Sequence, residues 1–382
     1  MRKFMAAMAL TAMLPLTFAQ AEETLFIAKG MLSPAQAQDM AAAFEEALGE
    51  TVCVTFEEET GKTLTQSLPS GAGLAVLTAP QAAALARADR LLSLDGYVPA
   101  LEQMERAYTQ ACVMDEQLMF APLKVKQRMM AVRRDGFEAV NMGYLLDNRS
   151  HPVWYPAEFV QALDEMAVMN RPGMDVWRPG EEDLPWLSAL LCCASELEYM
   201  EEGTGACAVD AQEMERALEW MEDMLRAELI REAKDREEAL SRFIGGETAV
   251  FIDWTQEESR QYAEAIREGE ILLRAYPTFA GAPLHAGELV VLCILRGEEA
   301  KNEPLRRAAA DVLARIGEKE TLWQRGLYSD GARVLPLYAA QEYGATLCRL
   351  LLDAAGGVIA GEEEASLAAQ RMDRAMRTAG LK

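Results

Sequence analysis

The stretch RFIGGETAVFIDWTQ, Arg242 to Gln256, sets a double glycine before an apolar and β-branched run, Thr248 to Ile252, and closes that run on Asp253 and Trp254. Such a run predicts a short buried strand, with Gly245 and Gly246 as the helix stop before it. An indole face offers apolar stacking, and a carboxylate accepts hydrogen bonds from hydroxyls. Side by side they supply the chemistry a sugar requires. Other aromatics fall in loops: Trp154, Trp177, Trp186, Tyr276, Trp323 and Tyr343. Taken singly each is more often a packing residue, as is Trp220 within an acidic helix. Trp254 stands apart because it follows a strand directly, where an α/β sheet puts its ligand cleft.

Signatures of catalysis are mostly missing. Gly71-Ala72-Gly73 precedes a strand instead of following one, which rules out a dinucleotide fingerprint. There is neither a GxSxG elbow nor a P-loop. His151 and His285 are the only histidines, and neither has a partner at metal spacing. Acids are so numerous that no pair can be singled out as a glycosidase couple. No cofactor is expected.

The elements that must position these side chains begin with three strands: Thr24–Gly30, Thr51–Glu57 and Gly73–Pro80. Ser33 caps a helix between the first two, Pro34 suits its first turn and Gly49 ends it. A second helix follows the third strand. This alternation predicts an α/β lobe with a largely parallel sheet, whose ligand end lies near Lys29, Gly30, Thr78 and Gln81. Further on, APLKVKQRMMAVRRDGF alternates Lys124 and Lys126 as extended chain does. Helices are expected from near Pro156, through LSALLCCASEL, and along an acidic stretch from Ala211 to Lys234 whose Met214, Leu218, Met221 and Leu225 make one apolar face. EESRQYAEAIREGE reads as an amphipathic segment. Two strands about a Pro/Gly crossing, a helix from Asn302, a loop and two closing helices complete the chain.

With 382 residues the chain exceeds what one core usually serves, so two lobes are expected. Residues 1–21 combine Arg2 and Lys3, an apolar stretch from Phe4 to Phe18 and Ala19-Gln20-Ala21, the pattern of a secretory signal peptide cleaved before Glu22. No cysteine precedes Cys53, so a lipid-anchored start is not expected. Loss of Arg2 and Lys3 takes the formal charge from −24 to −26, because residues 1–21 hold no acid. Such a chain repels phosphate backbones, which excludes nucleic acid as a natural partner. The seven cysteines include no CxxC; after export Cys192 or Cys193 could pair with Cys207, while the others suit buried apolar positions.

RFIGGETAVFIDW resembles the segment of bacterial extracellular solute-binding proteins, family 1, the maltose-binding-protein-like group, in which a helix ends and a strand delivers a tryptophan to the ligand. LFIAKG, GLAVLTAPQ with LLSLDGYV, APLKVKQRMMAVRRDGF, YPTFAGAPLHAGELVVLCILRGEEAKNEPLRRAAADVLARI and EYGATLCRLLLDAAGG resemble, in order, further parts of that family. The resemblance implies a two-lobed periplasmic-binding-protein-like fold of type II, with residues 22–125 and 277–322 in one lobe and 126–276 and 323–382 in the other. It implies a cleft between lobes, lined by Lys29, Thr78 and Gln81, by Lys124 from the crossing, and by Trp186, Trp254 and Tyr343; Asp253 joins them on its own chemistry as the carboxylate beside Trp254, where the family has a glycine. It also implies a monomer in the periplasm or outside the cell that closes on a small solute, with sugar foremost, and hands it to the permease subunits of an ABC transporter. The alternatives are a secreted glycan-acting enzyme and a diverged sensor or interaction protein of the same fold.

Overall fold

A computed structural model describes residues 22–57, 64–69, 71–97, 106–147, 150–151, 153–201, 204–279, 283–318 and 333–381. The expected signal peptide, residues 1–21, and Trp323 lie outside the described residues. The strands are β1 (Glu22–Ile27), β2 (Thr51–Phe56), β3 (Leu74–Thr78), β4 (Val113–Met114), β5 (Gln117–Leu118), β6 (Ala121–Arg133), β7 (Met174–Val176), β8 (Ile230–Glu232), β9 (Val250–Trp254), β10 (Ile271–Arg274), β11 (Leu284–Ile294) and β12 (Arg333–Leu335). All but the β4–β5 pair join one ten-stranded sheet in the order β2-β1-β3-β11-β6-β9-β7-β8, with β10 beside β6 and β12 beside β11.

The three strands read for the first lobe pair in parallel as expected, and the sheet as a whole is mixed because β6 and β11 enter it antiparallel. Two parallel triplets, β2-β1-β3 and β9-β7-β8, are joined by β6 and β11, which run antiparallel to their sheet neighbours in those triplets and to each other. A 13-residue strand is long enough to belong to both halves: β6 pairs with β11 over its first part and with β9 and β10 over its last. Its register shifts beside Val290 on one side and between Met129 and Ala131 on the other.

Two separate apolar cores make the two lobes. One gathers Leu25, Phe26, Phe44, Leu77, Leu123 and Val290, and the other Met130, Phe159, Leu187, Met221, Phe251 and Leu351. β11 passes from one to the other between Ala286 and Leu289. The short helix Leu337–Ala340 is a third connection: Ala340 packs into the first core and Tyr338 into the second.

Local chemistry explains the boundaries. Ser33 accepts a hydrogen bond from the Gln36 amide through its hydroxyl while its own amide donates to the Gln36 side-chain oxygen, Pro34 opens the helix Pro34–Leu48, and Gly49 ends it at φ 73°. At Gly73 a side chain would meet the carboxylate of buried Glu23 at 2.6 Å, and the glycine's amide instead donates to that carboxylate at 2.7 Å. The acidic helix stops at Arg226, short of the expected Lys234. Glu228 turns the chain at φ 57°, and Ile230 then pairs alongside Met174 as β8. Its apolar face is as expected at Met214, Leu218 and Met221, which are buried. The segment 256–268 is two helices, Gln256–Gln261 and Ala263–Glu268, broken at Tyr262. None of the seven cysteines is in a disulfide. Instead of pairing with Cys207, Cys193 donates from its thiol to the carbonyls of Ala189 and Pro277, and Cys192 to that of Leu197. No helix among the described residues is long and apolar enough to cross a membrane.

Candidate functional site

Alternation along β6 puts Lys124, Lys126 and Arg128 on one face of the strand. Lys124 lies opposite Val290 of β11, and Val290 opposite Thr78 of β3, so Lys124 and Thr78 share that face with β11 between them. Lys126 forms an ion pair with Glu288 at 3.5 Å, and its ammonium sits 3.5 Å from where a side chain on Gly30 would begin. Gly30 has φ 71°, and its open α-carbon leaves that space to the lysine. Arg128 reaches Asp253 at 3.0 Å. The row of cations thus runs from the carboxyl ends of β1 and β3 in one lobe to the carboxyl end of β9 in the other. Ligands of open α/β sheets bind beyond such strand ends.

In the first lobe Lys29 is exposed, and its amide donates to Glu57 at 3.0 Å. Thr78 and Gln81 are half-buried and cap the helix Ala79–Arg87. The Thr78 amide donates to the Gln81 side chain at 3.0 Å, and the Gln81 amide to the Thr78 hydroxyl at 3.4 Å. The helix N-terminus, with its partial positive charge, faces the same end of the sheet. Lys124 is held below the usual lysine range by burial and by the neighbouring charge of Lys126. It has no carboxylate within ion-pair distance among the described residues.

The second lobe meets the row with a closed polar network. Asp253 is 1 % exposed and accepts from Arg128 and, at 2.6 Å, from Arg236; Arg236 also binds Glu258 at 2.9 Å and the Asp253 carbonyl at 2.8 Å. Burial pushes the Asp253 carboxyl up to about 6 against the pull of both guanidinium groups. Its hydrogen-bonding capacity is therefore engaged inside the protein.

Trp254 points the other way and is 1 % exposed. Its ring packs among Tyr262, Phe243 and Phe251, with centroids 5.7, 5.9 and 6.4 Å away, and its indole N–H donates to Ser259 at 2.9 Å. Trp186 is also wholly buried, 4.9 Å from Trp177 and bonded to Asp183 at 2.8 Å. Tyr343 donates to the carbonyls of Tyr199 and Ala206. Trp154 and Tyr276 are core residues, and the guanidinium of Arg274 lies over the Trp154 ring at 4.8 Å. The structure thus brings Lys29, Thr78, Gln81 and Lys124 together and places Asp253 at the far end of the row. It sets the faces of Trp254 and Trp186 inside the second core. Lys126, Arg128 and Arg236 were not singled out from sequence; the alternation Lys-x-Lys-x-Arg in β6 was the signal for the first two. No group of three or more metal-ligating side chains occurs among the described residues.

No family model matches the sequence, and no curated protein does. Solved structures do match in fold. The cyclic α-maltosyl-1,6-maltose binding protein from Arthrobacter globiformis aligns at 16 % identity and a TM-score of 0.70 over 94 % of this chain and 98 % of its own. The sugar-binding protein MalE from Xanthomonas citri aligns at 12 % and 0.69, covering 93 % and 96 %. A family 1 extracellular solute-binding protein from Bifidobacterium longum subsp. infantis aligns at 9 % and 0.64, covering 94 % and 99 %. These likenesses span nearly the whole of each chain and agree with the resemblance drawn from sequence motifs: the protein has the two-lobed α/β fold of periplasmic solute-binding proteins.

Proposed function

We propose that this chain is an extracytoplasmic solute-binding protein that captures a small solute of the sugar class between its lobes and delivers it to an ABC importer. The observation that carries this is the polar row on β6, which lies between the carboxyl ends of both parallel triplets and on a strand that both lobes share. A solute held there touches both lobes, so it binds best when they approach and shifts the population toward that form. The secretory pattern of residues 1–21 and the sugar-binding neighbours support the reading. It makes and breaks no bond in its ligand.

The test is a thermal-shift screen of the mature chain against mono- and oligosaccharides, amino acids and short peptides. A ligand present at a hundred times its Kd adds about 2.7 kcal/mol of stability. The expected result is a rise in Tm with one class of sugar, a smaller radius of gyration by X-ray scattering, and recovery of the sugar unchanged. A flat response across all sugars would overturn the proposal, and so would a cleaved product.

A further inference from the structure

We infer that the solute bears an acidic substituent, a carboxylate or phosphate on a sugar, and that Lys124 together with Lys126 holds it. This rests on the solute-binding reading of the same cleft. The chain carries −24 formal charges and only nine lysines, yet three of them, Lys29, Lys124 and Lys126, gather at the carboxyl ends of β1 and β3. Arg128 continues the row, but Asp253 neutralises it. Glu288 answers Lys126 and Glu57 lies beside the Lys29 amide, whereas Lys124 has no carboxylate partner among the described residues.

A half-buried ammonium beside another ammonium is unfavourable without an anion. The amino end of the helix Ala79–Arg87 adds its partial charge to the same spot. A neutral sugar would offer Lys124 only hydroxyls, beside a Lys126 that shares its charge with Glu288. An acidic group between them gains two charge-assisted hydrogen bonds.

Four probes separate the outcomes, each titrated by calorimetry into the mature chain: a galacturonic acid disaccharide, the corresponding neutral galactose disaccharide, a hexose 6-phosphate and citrate. The expected result is binding of the uronate or of the sugar phosphate, whichever supplies the anion, with the neutral disaccharide at least tenfold weaker. Lys124→Gln and Lys126→Gln should each weaken that binding on the order of tenfold to a hundredfold. Lys234→Gln, an exposed lysine of the other lobe, serves as the control for net charge and should leave binding unchanged. Circular dichroism melts establish that each variant is folded. Equal binding of the neutral and acidic disaccharides would overturn the inference and leave sugar binding intact. Binding of the uronate that survives both β6 lysine substitutions would overturn the site. Binding of citrate alone, or of none of the four, would overturn this inference, whereas the sugar reading falls only with a flat response across the whole sugar screen.

Discussion

Arg128, midway along a strand that both lobes share, meets Asp253, at the end of the first strand of the second triplet, at 3.0 Å. With Arg236 at 2.6 Å from the same carboxylate, the contact ties the crossing to the second lobe through a buried acid. Breaking such a pair from the acid side strands two guanidinium groups. Asp253→Ala should therefore cost on the order of 3–5 kcal/mol, read from urea unfolding midpoints. A loss under 1 kcal/mol would show that water replaces the carboxylate freely.

The same carboxyl makes a pH prediction with a definite sign. Its folded value is raised from 3.8 to about 6 by burial. The folded state then holds the proton more tightly than the unfolded one, so this contribution is full below pH 3.8 and is lost as pH rises through 6. Subtracting the Tm of Asp253→Asn from that of the wild type across pH 4 to 7 should give a difference that falls with pH. A difference that climbs over this window would mean that Arg128 and Arg236 outweigh burial.

Trp254 is a keystone of the second core, and Trp254→Ala should cost roughly 3–5 kcal/mol by opening a cavity among Phe243, Phe251 and Tyr262. Denaturant melts of the variant in the absence of any solute measure this directly. If its stability stayed within 1 kcal/mol of wild type, the ring would have to sit at the surface.

Thiol chemistry checks the packing. Cys53 is exposed and Cys207 half-buried, whereas Cys112, Cys192, Cys193, Cys293 and Cys348 are buried. Burial pushes the Cys112, Cys193 and Cys293 thiols far up and Cys348 up to about 12. A chromogenic disulfide reagent should titrate Cys53 quickly, Cys207 slowly, and all seven only in guanidinium. Seven fast equivalents under native conditions would contradict the packing.

Ser33 supplies one cap of the first helix through its hydroxyl. Ser33→Ala should lower stability by about 1 kcal/mol. The change belongs in the unfolding midpoint, with the slope of the transition unchanged.

What could be read from sequence was what local chemistry decides. Ser33, Pro34 and Gly49 bracket their helix because caps and stops act within a few residues, and the alternation at Lys124 and Lys126 marked β6 as extended. The side chain of Trp254 was a different matter. An indole at a strand end has the same neighbours in sequence whether it lines a cleft or plugs a core, and only the fold brings Tyr262 and Phe243 around it. Asp253 finds Arg128 across 125 positions of chain, a pairing no window of residues could contain. β8 was hidden because Glu228 turns the chain without a glycine, leaving Ile230–Glu232 looking like the tail of a helix.

The irregular registers of β6 acquire a mechanical meaning beside its charges. One falls at Val290 and Val291 of its neighbour, opposite Lys124 and Pro122, and the other between Met129 and Ala131. Between them lies a regular span bearing Lys126 and Arg128, with Lys124 set at the first irregularity. A bulge bends a strand and sharpens its local twist, so β6 changes course at each end of this span as it passes from one core to the other.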